Sequence, residues 1–338
     1  MSNSDLNVTA LSQYLGRHLD GLEGPIEAKK FVGGQSNPTY LVTSHNKRYV
    51  LRRKPAGDLL KSAHAVDREF RVITALENSD VPVAKPLLLC EDATIIGSIF
   101  YIMEYVDGRV MWDPALPDVE FSHRWGIYSE MSRVMASLHK INIAEVGLSD
   151  YGRPGNYYER QINRWIQQYR ASETEKIADM DWLIKWLPNN TPSEDGRVSL
   201  VHGDFRLDNM LFHPHKSQVL ALVDWELSTL GHPFADLAYQ CMQLRMASNS
   251  ALQGLDGIDR EALGIPSEQD YVSQYCKRVG INGITDWNFY LAFSAFRFAA
   301  ILQGVKKRAL DGNASNDKAY KMGEMVAPLA KMAIGLVN

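Results

Sequence analysis

Residues 202–209 read His202-Gly203-Asp204-Phe205-Arg206-Leu207-Asp208-Asn209, and an apolar run downstream ends in Val223-Asp224-Trp225-Glu226. Asp204 is an acid able to take a proton from a hydroxyl. Asn209 is an amide able to hold a metal through its oxygen, and Asp224 is a second metal-binding acid. Base, amide and acid follow one another in the order that phosphoryl transfer uses. The expectation is an ATP-dependent kinase acting on a small molecule.

The flanking residues support this grouping. Asn209–Phe212 and Val219–Asp224 are apolar and strand-length, and His213–Gln218 between them is turn-like. They predict an antiparallel hairpin, in which the first residue of one strand lies beside the last residue of the other. Asn209 and Asp224 would then face the same point. Val198, Leu200 and Val201 anchor the chain just before His202, leaving Asp204 on a short loop held at both ends. Mg²⁺ prefers oxygen ligands and keeps several waters, so one carboxylate, one amide and the phosphates of ATP make a sufficient shell.

The His-Gly-Asp-x4-Asn signature, the strand ending in Asp224-Trp225-Glu226, and the run from Gly231 to Tyr239 (GHPFADLAY) together carry a resemblance. The sequence resembles the aminoglycoside phosphotransferase and choline kinase branch of the protein-kinase-like superfamily. Within it, the chain looks most like the phosphotransferase module fused in some proteins to an acyl-CoA dehydrogenase. The similarity runs from Phe31 to Arg308. It implies an α+β, bilobal protein-kinase-like fold, with an antiparallel-sheet N-terminal lobe over residues 1–106 and a mainly helical C-terminal lobe over residues 107–338. It also implies that Asp204 is the catalytic base, that Asn209 and Asp224 bind Mg²⁺, and that Asp236 braces the loop from beneath.

Other parts of such a kinase occur in the expected order. Phe31–Val42 (FVGGQSNPTYLV) reads as strand, flexible loop and strand. Gly33 and Gly34 let the backbone approach phosphates closely, and Ser36 and Asn37 add side-chain donors. Neither GxxxxGKS nor GxGxxG occurs, so P-loop and Rossmann readings lose their main support. The next strand is Tyr49–Pro55 (YVLRRKP), and the resemblance places Arg52 where kinases carry the lysine that touches the α and β phosphates. Arginine binds phosphate bidentately but is bulkier and more rigid than lysine. Val66, Phe70, Ile73 and Leu76 recur at helical spacing with Glu69 beside their stripe. Glu69 is the candidate partner of Arg52, and a solvated helix acid is the plainer alternative. Ile99–Gly108 (IFYIMEYVDG) resembles the kinase hinge, whose Glu104 carbonyl and Val106 amide would pair with adenine. For Arg206 two readings stand equal: a cation on the transferring phosphate, or a salt bridge to Asp208. His202 is read as fixing the loop by hydrogen bonding.

Length and composition agree with two lobes, since 338 residues is long for one core. A formal charge of −4 gives no general attraction to nucleic acid. The three cysteines, Cys90, Cys241 and Cys276, form no CxxC pair and have no metal-ligand spacing, as expected of buried or free thiols in a reducing compartment. The first fifteen residues lack a basic segment followed by an apolar core, and Phe289–Leu302 is too short for a membrane span and carries Arg297. A cytoplasmic enzyme is expected. Leu11, Leu15 and Leu19 predict a short leading helix, and Ile127, Met131, Val134 and Leu138 a longer one. Flexible pieces are expected near Gly108 and over Pro188–Gly196.

Two aromatic stripes, Tyr158, Ile162, Trp165, Ile166 and Tyr169, then Phe289, Phe293, Phe296 and Ala300, read best as core. Arg160, Arg164, Arg297, Lys306 and Lys307 lie among them and hint at an anionic small-molecule acceptor. The resemblance implies a hydroxylated acid or its CoA thioester. The helices after Asp236 are not acidic, which speaks against a polycationic antibiotic. Two alternatives compete. One is a kinase-fold nucleotide-binding module without turnover, motivated by Arg52. The other is a metallohydrolase using His202, Asp204, Asp224, His213, His215 and His232, although the hairpin puts His213 and His215 at its far turn.

Overall fold

Buried residues alternate with half-buried ones from Thr39 to Ser44, the pattern of a strand with one face on a core. The computed structural model describes residues 6–22, 24–31, 37–55, 65–311 and 317–338. Helix α1 (Val8–His18) precedes β1 (Glu27–Lys30), β2 (Thr39–Ser44) and β3 (Lys47–Arg53). Helix α2 (Val66–Leu76) is followed by β4 (Pro86–Cys90) and β5 (Phe100–Glu104). These strands form one antiparallel sheet in the order β1-β2-β3-β5-β4. Successive side chains leave opposite faces of a strand. Leu51, Phe100 and Ile102 therefore pack with Leu11 and Leu15 of α1, whereas Tyr101 joins Val66, Ile73 and Leu76 of α2. The register sets Arg52 opposite Thr39 on one side and Tyr101 on the other.

The chain then becomes helical, with α3 (Phe121–His139), α4 (Tyr157–Ser172) and α5 (Ala178–Asn189). The short strands β6 (Ser199–Val201), β7 (Met210–Phe212), β8 (Val219–Leu222) and β9 (Thr229–Gly231) pair antiparallel as β6 with β9 and β7 with β8. The helices α6 (Phe234–Leu244), α7 (Glu268–Val279), α8 (Trp287–Leu310), α9 (Asp317–Gly323) and α10 (Val326–Val337) complete the fold. A sheet-bearing lobe and a helical lobe are the expected architecture. The spaced residues Ile127, Met131, Val134 and Leu138 are all buried on α3, and both aromatic stripes lie in the core through α4 and α8. No helix among the described residues is long and apolar enough to cross a membrane.

Two local features position the site. The linker after β5 is pinned to the hairpin, because Arg109 and Phe212 exchange backbone hydrogen bonds of 2.8 and 2.9 Å. Gly108 makes this possible, since a Cβ there would lie 3.0 Å from the Phe212 carbonyl oxygen. The second feature is a difference from expectation: α5 continues through Pro188 to Asn189, so the loop expected from Pro188 begins later. Gly33, Gly34 and Ser36 lie outside the described residues.

Candidate active site

The loop from His202 to Asn209 is held from below by one acid. Asp236, in the first turn of α6, is wholly buried; its Oδ2 accepts the His202 amide at 2.7 Å and its Oδ1 accepts the Gly203 amide at 2.8 Å. Two buried N–H groups are thereby satisfied, as buried backbone requires. His139 lies 3.3 Å from the same Oδ2, and its other ring nitrogen bonds the Tyr275 hydroxyl at 2.7 Å. Burial alone would raise the Asp236 pKa, but His139, His202 and the loop amide outweigh it and leave the pKa below the ordinary value. An ionised carboxylate at this point makes strong, charge-assisted bonds. Gly203 has φ +85°, and a Cβ there would sit 2.5 Å from the Leu227 carbonyl oxygen, so only glycine fits.

His202 joins the loop to the hairpin. The ring is fully buried; its Nδ1 accepts the Asp204 amide at 3.2 Å, and its Nε2 donates to the Val223 carbonyl at 2.9 Å. These partners assign the proton to Nε2. The Trp225 ring packs 4.8 Å away. On the other side of the hairpin, Val223 donates its amide to the Asn209 carbonyl at 2.9 Å, which brings Asn209 beside Asp224. The Asn209 Nδ2 donates to both the backbone oxygen and Oδ2 of Asp204, each at 2.9 Å. Its Oδ1 takes part in neither bond. Asp224 adopts φ 67° and ψ 61°, a left-handed conformation uncommon for a residue with a Cβ. Such conformations persist where surrounding structure enforces them, and they cluster at functional sites.

From the sheet above, Arg52 reaches into the same region. Its Nε lies 2.8 Å from Glu69 Oε2, its Nη2 lies 2.5 Å from Asp224 Oδ1, and Glu226 stands 3.8 Å away. Glu69 is buried and also accepts from Asn37 Nδ2 at 2.7 Å and from the Tyr101 hydroxyl at 3.2 Å. Burial pushes its carboxyl up to about 7, with Arg52 opposing and Asp224 and Glu226 reinforcing. Burial disfavours the charged guanidinium, but Glu69, Asp224, Tyr101 and Glu226 together raise its pKa. Three acids thus share one cation, which leaves surplus negative charge around Asp224 and Glu226. Hard oxygen donors in a negatively charged setting fit Mg²⁺.

The remaining sequence candidates fall as follows. Arg206 grips Asp208 through Nε and Nη2, the latter at 2.5 Å from Oδ2, while lining the same cleft as Asp204. Glu104 ends β5 with its amide on the Lys85 carbonyl at 2.9 Å, and the Val106 carbonyl accepts from Gly108 at 3.1 Å in the linker turn. The five cations read as a hint of an anionic acceptor do not line the cleft. Arg297 donates to the Gly203 carbonyl at 2.6 Å, with its guanidinium over Trp165 and Tyr239. Arg160 bonds the Arg153 carbonyl at 2.6 Å, Lys306 pairs with Glu175, Lys307 pairs with Asp311 at 2.6 Å, and Arg164 lies over Trp165. That hint is corrected: these cations serve the fold.

The histidines do not converge as a metallohydrolase needs. His215 bonds His213 at the hairpin turn, and His232 pairs with Asp195 at 3.3 Å. Among the described residues, no group of three or more His, Cys, Asp or Glu side chains is arranged to hold a metal ion.

Sequence reasoning missed Tyr101, Glu226 and Tyr239. Glu226 carried a signal, being two residues from Asp224 in the same motif. Tyr101 needed the strand register, and Tyr239 needed the face of α6 that turns toward Asp204, whose charge together with burial raises the tyrosine pKa.

A sheet lobe over a helical lobe, with Asp204, Asn209 and Asp224 gathered beneath Arg52, defines a protein-kinase-like phosphotransferase. The profile of the phosphotransferase enzyme family matches residues 27–263, and the chain belongs to that family. Its members in this branch are small-molecule kinases. Acyl-CoA dehydrogenase family member 10 of Mus musculus is 48% identical over 94% of this chain and 30% of its own length. The chain therefore spans less than a third of that relative. A Ralstonia eutropha protein classed with the aminoglycoside phosphotransferases is 48% identical, with a TM-score of 0.89 over 98% of both chains. The aminoglycoside phosphotransferase APH(4)-Ia, solved with AMP-PNP and hygromycin B, shares the fold at 14% identity, with a TM-score of 0.62 over 97% of this chain and 99% of its own.

Proposed function

We propose that the protein transfers the γ-phosphoryl group of ATP to a hydroxyl of a small molecule, and that the acceptor is a hydroxy acid or its CoA thioester. The observation that carries the reading is the single His202 ring holding the Asp204 amide on one side and the strand end before Asp224 on the other. Asp204 orients the acceptor hydroxyl and accepts its proton, with its carboxylate aimed by Asn209 Nδ2. Asn209 and Asp224 would hold Mg²⁺, which would offset the negative charge of the phosphates. Arg52, steadied by Glu69, contacts the phosphates from above, and Arg206 lends positive charge at the edge of the cleft. Gly33, Gly34 and Ser36 are assigned to the phosphates by the family resemblance, whereas the buried Asn37 donates its amide to Glu69. The Glu104 carbonyl and Val106 amide meet the adenine ring.

The acceptor reading rests on the dehydrogenase-linked relative. Incubation with ATP labelled at the γ position and a panel of hydroxyacyl-CoAs, hydroxy acids, sugars and amino alcohols tests it. Label on the hydroxyacyl compounds is expected. Label on sugars or amino alcohols alone would overturn the acceptor class, and bound ATP without transfer to any compound would favour a nucleotide-binding module.

A further inference from the structure

The cleft that contains Asp204 runs on past the reacting end for a total of about 660 Å³. One wall is apolar, formed by Phe298, Ile301, Leu302 and Val305 of α8, and Trp112 also lines the cleft. Trp112 is 76% exposed, so its indole has no part in the core. Gln240 and Gln243, three residues apart on one face of α6, line the same cleft. Gln240 is only 1% exposed, yet its Oε1 has no hydrogen-bond partner, and the Nε2 of Gln243 is likewise buried and unpartnered. A buried polar atom left without a partner loses its hydration uncompensated, and in a native protein such an atom is accounted for by an ordered water, an ion, strain or a bond that a ligand completes; the place of both glutamines on the cleft lining points to the last.

We infer that Gln240 and Gln243 are the specificity residues of the acceptor site. They recognise an uncharged hydrogen-bonding group carried on an aliphatic alcohol whose chain lies against the α8 wall. The inference rests on the phosphotransferase reading and deepens it. A glutamine pair offers both a donor and an acceptor, which suits an amide-like or hydroxyl group. A free carboxylate suits the place less well, which favours the thioester over the free acid among the proposed acceptors: Asp204, Asp208, Asp224 and Glu226 line the same cleft, and the one cation lining it among the described residues, Arg206, is held by Asp208. Chain length and the position of the polar group then decide which hydroxyl reaches Asp204. A site built to hydrogen-bond its ligand rejects analogues that lack the group more strongly than an apolar wall rejects a missing methylene.

The test is calorimetric titration of three matched eight-carbon alcohols, bearing a primary amide, a carboxylate or no second polar group. Each is titrated, alongside MgATP, into wild type, Gln240→Leu and Gln243→Leu. Wild type is expected to bind the amide best. Each leucine variant is expected to lose about tenfold for the amide, the worth of one neutral hydrogen bond, with little change for the plain alcohol. Because leucine removes an unpartnered amide, Gln240→Leu is expected to melt no lower than wild type. Gln240→Met, closer in shape, guards against a packing artefact. Equal binding of the three alcohols, equal amide affinity in the variants, or binding of none while MgATP binds would each overturn the inference and leave the kinase reading standing. Failure of MgATP to bind wild type would remove the kinase reading itself and the inference with it.

Discussion

The guanidinium of Arg52 bonds Asp224 at 2.5 Å while its Nε holds Glu69 at 2.8 Å, so one side chain ties the sheet, helix α2 and the hairpin end into a single charged chain. The lysine of the kinases that this sequence resembles would present a single ammonium here. A planar fork can hold two carboxylates at once in fixed directions. The departure from lysine therefore has a structural use.

Removing that fork should be costly. Arg52→Ala leaves Glu69 buried without its counter-charge, and breaking a buried ion pair costs about 3–5 kcal/mol. Arg52→Lys keeps the charge but cannot span both acids and should lose less. Urea unfolding at pH 8, above the raised pKa of Glu69, measures both. A cost for Arg52→Ala no larger than that of an exposed pair would show that the chain of charges is weak.

Glu69 sets a pH dependence whose sign follows from its raised pKa. The folded protein holds this proton up to about 7, whereas the unfolded chain releases it near the ordinary 4.5. The stability that the raised pKa contributes is complete below about 4.5 and is lost as pH rises through about 7. Between pH 4 and pH 8 the difference amounts to about 3 kcal/mol at most. Glu69→Gln should abolish it, so the variant gains on wild type as pH climbs. Parallel urea titrations that give a constant difference between the two proteins would contradict the assignment.

Asp236 should matter for turnover more than for nucleotide binding. Asp236→Asn replaces one acceptor with an NH₂ group facing a backbone N–H, so either the His202 or the Gly203 amide loses its bond. A shift of the loop on the ångström scale costs on the order of a hundredfold in rate. The expected result is a fall in kcat with the KM for ATP little changed. A change confined to KM would place Asp236 outside the support of Asp204.

Asp204→Ala should lower kcat by roughly a hundredfold to ten-thousandfold, the range for loss of a general base, while MgATP still binds. Near-normal turnover in this variant would refute the role of Asp204, whatever the fate of the family assignment.

The parts of this site that were legible in the sequence are those carried by local pattern. Apolar runs flanking a turn-like hexapeptide predicted the β7–β8 hairpin, and the Val223 to Asn209 hydrogen bond realises the expected meeting of Asn209 and Asp224. Helical spacing exposed the buried face of α2 and so the place of Glu69, which does pair with Arg52. What stayed hidden depended on three-dimensional direction. Arg297 looked like a cation for a substrate because sequence lists its neighbours on α8, not the Gly203 carbonyl to which it donates. Gln240 and Gln243 looked like any polar pair on an otherwise buried helix. Their lack of partners is visible only once the cleft wall is built. Pro188 differs for another reason: proline ordinarily ends a helix, yet α5 continues one residue beyond it.

The measurement that bears most directly on the central claim is calorimetric titration of ATP, with and without Mg²⁺, into wild type and Asp224→Ala. The account predicts Mg²⁺-dependent binding to wild type that is lost in the variant. Absence of binding to ATP or to any other purine nucleotide would contradict it.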